Sequence, residues 1–117
     1  MPLIVHIAKK AMWQTALDAG TYRTPSLDSE GFIHFSTPSQ VIRVADDFYA
    51  GCPDLLLLVV DSDALIADLR YEAPVHEDSL ELFPHLYGPL NLDAVIEVFP
   101  FPAGVDGSFI LPSGLTQ

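Results

Sequence analysis

The sequence is short of positive charge: five Lys and Arg stand against sixteen Asp and Glu in 117 residues, a formal charge of −11. Phosphate backbones and anionic membranes both repel such a surface, so neither a nucleic-acid nor a membrane partner is expected. The basic residues are also scattered, with only Lys9 and Lys10 adjacent. Cysteine is nearly absent. Cys52, between Gly51 and Pro53, can form no intrachain disulfide and belongs to no CxxC, which suits a small half-buried thiol in a reducing cytoplasm. Long apolar runs are missing as well. The longest, Leu55 to Val60, falls far short of the roughly 20 residues that span a bilayer. No signal-peptide apolar region precedes Lys9-Lys10, so a cytoplasmic location is expected.

The common catalytic signatures are absent too. There is no GxGxxG, no P-loop and no GxSxG elbow. His76-Glu77 begins like a zincin helix, but Leu80 stands where the second His ligand belongs, so no metal site is assigned.

What is present describes one globular domain over residues 1–117, half of them apolar and only 18% charged. Leu3 to Ile7 reads as a first strand, and Lys9 to Ala19 as a helix with Met12, Trp13, Ala16 and Leu17 on one stripe and Gly20 as its stop. Thr21 to Gly31 is rich in Thr, Pro, Ser, Asp and Gly and reads as a long loop. Gly31 to Ser36 reads as a strand with Phe32, His34 and Ser36 on one face. Thr37-Pro38-Ser39-Gln40 has capping-box order and opens a second helix that Gly51 ends. Leu55 to Val60, apolar on both faces, predicts a strand buried on both sides. Asp61-Ser62-Asp63 turns the chain, and Leu69 to Glu72, Ala94 to Phe99 and Phe109 to Leu111 read as further strands. Phe83 to Leu90 reads as a stiff, Pro-bounded aromatic segment.

Polar groups interrupt these apolar stretches at His6, at His34 with Ser36, at Glu72, and at His85 with Tyr87. Histidine and serine on one face of an apolar strand must either satisfy each other internally or open onto a pocket. Glu72 has Arg70 two residues earlier on the same face, so a plain surface ion pair is a live alternative.

Five blocks then carry a resemblance: His6-Ile7, Tyr22-Arg23 with Pro25-Ser26-Leu27, Gly31 to Pro38, Leu69 to Glu72, and the eight residues Phe83 to Leu90. In this order they resemble domain-of-unknown-function family 952, a bacterial family of small single-domain proteins, from the first strand to Leu111. By fold that family is grouped with the ADP-ribosyltransferase-like superfamily, whose members bind NAD in the cleft of a split sheet. The resemblance therefore implies an α+β domain, a mostly antiparallel split β-sheet with two main helices. It implies that His6 holds the NAD ribose, that Ser36 and Thr37 serve the nicotinamide side, and that Glu72 is the catalytic acid. His34, His85 and Tyr87 belong to the family's own pattern, with His34 or His85 as proton shuttle. NAD enters as a substrate; no resident cofactor is implied. With so few cations, the diphosphate would need Arg23 or Arg70.

Three readings follow. The first is an enzyme for NAD or a related ADP-ribose compound, by ribosyl transfer or glycohydrolysis. The others are a non-catalytic small-molecule binding module and an acidic domain that meets a basic protein partner.

Overall fold

A computed structural model describes residues 2–74, 81–112 and 115; His76, Glu77 and Leu80 lie outside them. Strand β1 (Leu3–Lys9) forms where the apolar run Leu3 to Ile7 predicts it, two residues longer. Ile4 and Ala8 enter one hydrophobic cluster, while Val5 and Ile7 enter another on the opposite face. Helix α1 (Lys10–Ala19) follows without a loop and stops at Gly20, whose φ of +83° is a conformation glycine adopts at no steric cost.

The stretch expected as a long loop is not one. It forms strand β2 (Thr21–Tyr22) and the short helix α2 (Pro25–Ser29). Thr, Pro and Ser are turn formers, but the same residues open helices: Thr24 is extended at the N-cap and Pro25 takes the first turn. The strand after it is shorter than predicted, only β3 (Ile33–His34). Phe35 donates its N–H to the carbonyl of Pro84 at 3.0 Å, and Pro84 has no N–H to return the bond. Helix α3 (Pro38–Phe48) carries both bonds of the capping box between Thr37 and Gln40. Gln40 also donates to the Leu82 carbonyl at 2.8 Å, tying the helix start to the chain that enters the next sheet.

Strand β4 (Leu55–Asp61) is the middle of a sheet ordered β1-β4-β8, with β8 at Val95–Pro100. Its Leu58 and Val60 pack with Ile4 and Trp13, and its Leu57 and Val59 pack with Val41 and Phe101. Both faces are thus covered, which accounts for its lack of polar alternation. Strands β5 (Asp68–Glu72) and β6 (Phe83–Tyr87) join β3 in a second sheet ordered β3-β6-β5. The Pro-bounded segment is therefore a central strand, with β7 (Leu90–Asn91) directly after it pairing with β2. The tail differs from expectation as well. Phe109 to Leu111 forms no strand; instead Phe109 stacks on Phe101, centroids 5.0 Å apart, and donates its N–H to Asp46.

The result is an α+β domain in which every described strand pairing is antiparallel. The two three-stranded sheets touch through an isolated bridge, Val5 to Ser36, with both N–H···O distances at 2.8 Å. Apart from that bridge no strand pairing joins the two sheets among the described residues. Among the described residues no helix is long and apolar enough to cross a membrane.

Candidate functional site

Beside this bridge, with Val5 and Ser36 in its wall, lies a cleft of about 600 Å³. Strand β1 supplies Val5, His6 and Ile7, the β3 strand and its continuation supply His34, Phe35 and Ser36, and β6 supplies Phe83 and His85. Val44, Phe48 and Tyr49 of α3 and its C-terminus form the facing wall, and Glu30 closes the end beside α2. A smaller recess of about 260 Å³ shares His6, Ile7, His34 and Tyr49 and runs toward Lys9, Thr24 and Ser26. The walls are mainly hydrocarbon, the composition that favours an organic ligand over water.

His85 is the least exposed of the polar residues lining the cleft. The residue is 2% exposed, and its ring lies on Phe32 with centroids 4.0 Å apart. Its Nδ1 is 3.0 Å from Glu72 Oε1, and because a carboxylate only accepts, Nδ1 carries the hydrogen. Tyr87 donates its hydroxyl to the same Glu72 oxygen. The Tyr87 and His85 hydrogen bonds, in that order, hold the Glu72 carboxyl below the usual carboxylate range, while Glu72 pushes the Tyr87 hydroxyl up. Nε2 of His85 has no partner among the described residues. No buried polar side-chain atom among them is unpaired, so that nitrogen opens to the cleft.

His34 is the direct cross-strand partner of His85, and their rings meet edge to face at 5.6 Å. Its Nε2 bonds Glu30 Oε2 at 3.0 Å, leaving Nδ1 without a partner among the described residues. The Ser36 hydroxyl is in the same condition: its backbone is bonded to Val5, its Oγ is free, and the residue lines the cleft. Tyr49 lines both recesses, and burial pushes its hydroxyl pKa up.

His6 occupies the cleft wall differently from its expected role. Nδ1 donates to the carbonyl of His34 at 2.6 Å, and Nε2 accepts from the Tyr22 hydroxyl at 2.9 Å. Both nitrogens are thus engaged by the protein, and the ring ties β1 to β3 instead of offering a group to a ligand. Burial pushes its pKa down to about 4, so the ring is neutral at ordinary pH.

Of the residues singled out from sequence, His6, His34, Ser36 and His85 come together in the cleft. Glu72 stands behind His85 and does not line the cleft. Tyr87 and Arg70 lie farther out on the same sheet, Arg70 over the Tyr87 ring at 4.7 Å and paired with Asp68 and not with Glu72. Thr37 caps α3, and Arg23 faces Asp28 across 3.6 Å outside both recesses. Sequence reasoning missed Glu30, Phe48 and Tyr49. Glu30 has a signal, its spacing of four residues before His34; Phe48 and Tyr49 sit on the apolar stripe of α3 and look like core. Among the described residues no group of three or more His, Cys, Asp or Glu is arranged to hold a metal ion.

The family model described as "Protein of unknown function (DUF952)" matches residues 7–98. Three solved structures of protein CC0527 from Caulobacter crescentus are similar. Its crystal structure is 31% identical, covers 92% of this chain and 93% of that one, and superposes with a TM-score of 0.81. Its solution NMR structure is 32% identical over 92% and 91% of the two chains, with a TM-score of 0.79. No curated protein matches.

Proposed function

The chain belongs to the DUF952 family of proteins of unknown function, and from its site we propose that it is an enzyme that cleaves a ribosyl bond in NAD or another ADP-ribose compound. One observation carries the reading. A histidine fixed by a carboxylate through Nδ1–H turns its other nitrogen into an apolar cleft, the arrangement a general base needs. His85 Nε2 would take a proton from water as that water attacks the anomeric carbon. Ser36 Oγ would hold a ribose hydroxyl, and Phe48, 66% exposed at the cleft edge, would cover a planar base. Splitting of the sheet at the cleft supports the finer assignment to the ADP-ribosyltransferase-like fold.

Glu72 then acts through His85, as a positioning residue, and the diphosphate is assigned differently from the sequence expectation. Arg23 and Arg70 are occupied by Asp28 and Asp68 away from the cleft. Lys9 is the one Lys or Arg among the described residues lining either recess, so a diphosphate would run along the smaller recess toward it. Calorimetric titration with NAD and with ADP-ribose tests the proposal. Saturable heat from either supports it; no heat and no thermal shift at about millimolar ligand, where even weak binding registers, would sink it.

A further inference from the structure

Glu72 and His85 are one of two His–Glu pairs among the described residues. Across the ladder from His85, His34 holds its own carboxylate, Glu30, and the two imidazoles face the same cleft from directly paired strand positions. The pairs use opposite ring atoms: Glu72 takes Nδ1 of His85 and Glu30 takes Nε2 of His34. The atoms left without partners among the described residues are Nε2 of His85 and Nδ1 of His34. Their settings differ as well. The His85 side chain is 3% exposed and stacked on Phe32, whereas that of His34 is 52% exposed. Solvent can deliver a proton to His34, and Glu30 stands ready to hold the resulting cation.

Resting on the ribosyl-cleaving reading above, we propose that His34 is the general acid beside His85, and that the substrate is a ribosyl compound whose leaving atom departs as an anion unless protonated. That class comprises oxygen-linked and uncharged nitrogen-linked ribosyl groups. A pyridinium such as the nicotinamide of NAD leaves as a neutral ring and has no use for an acid. In the step proposed, water gives a proton to His85 Nε2 while its oxygen bonds to the anomeric carbon. The bond from that carbon to the leaving atom breaks with its electron pair on the leaving atom. That atom takes the proton from His34 Nδ1, and solvent exchange returns His85 and His34 to their starting states. No oxidant, reductant or further reactant is needed.

Initial rates on 4-nitrophenyl riboside, phenyl riboside and NAD test this, because the two ribosides differ in how strongly the leaving oxygen needs a proton. His34→Gln should lose at least about tenfold more rate on phenyl than on 4-nitrophenyl riboside, a fraction of what a general acid contributes. Glu30→Gln should show the same bias at smaller size, and thermal melts of both variants establish that they are folded. Equal or reversed losses on the two ribosides overturn the acid role. Wild-type protein that cleaves NAD but neither riboside overturns the substrate class and leaves the broader function standing. If the wild type cleaves none of the three, both fall.

Discussion

His85 donates its Nδ1–H to Glu72 Oε1 across 3.0 Å, and the same oxygen receives the Tyr87 hydroxyl. This fixes the tautomer of His85 without placing a carboxylate in the cleft. Glu72→Gln should therefore lower kcat about 10- to 100-fold with little change in KM, since it disturbs the base and not the contacts to substrate. Steady-state kinetics checks it; a raised KM with unchanged kcat would mean that Glu72 binds substrate directly. The carboxyl is held below its ordinary range when folded, so its stabilising effect is complete above that range and fades as pH falls through the folded value. Denaturation of wild type and Glu72→Gln should accordingly converge in strong acid.

His6 gives the opposite kind of pH dependence. The unfolded ring takes a proton near 6.5 and the buried one only near 4, so protonation favours unfolding. Stability should be full above pH 6.5, fall as pH drops toward 4 and level off below, by on the order of 3 kcal/mol in all. Urea denaturation across that window checks it. His6→Gln should flatten the decline.

Thr37 and Lys9 separate a structural from a binding role. Thr37→Ala removes one side of the capping box and should cost about 1 kcal/mol of stability while leaving NAD affinity unchanged. Lys9→Ala should leave stability alone, weaken NAD binding several-fold and reduce its salt dependence, as loss of an exposed cation near a phosphate requires. Paired denaturation and calorimetry on the two variants checks both outcomes.

The parts of the fold legible in the sequence are those written in neighbouring residues. Ile4, Val5 and Ile7 are β-branched in a short apolar run, Thr37 and Gln40 stand at capping-box spacing, and Leu55 to Val60 has no polar face, so β1, α3 and the central β4 follow from local pattern. Strand β6 does not, because Pro84 and Gly88-Pro89 are local signs of a turn. Its identity comes from pairing with β3 and β5, which lie up to about fifty residues earlier in the chain. The site divides in the same way. Residue types marked His34, Ser36 and His85 as groups in need of partners, but their meeting depends on the register of His34 against His85. The internal bonds of His6, and the reach of Glu72 to His85, are tertiary facts with no trace in spacing.

The most direct test of the central claim is product release from NAD and from phenyl riboside by the wild type and by His85→Gln. Both proteins should melt cooperatively. The wild type should liberate the leaving group from at least one of the two, and His85→Gln should do so at least about 100-fold more slowly. No product from the wild type at high protein concentration, or equal rates from the two proteins, would contradict a cleft built around His85 as the base.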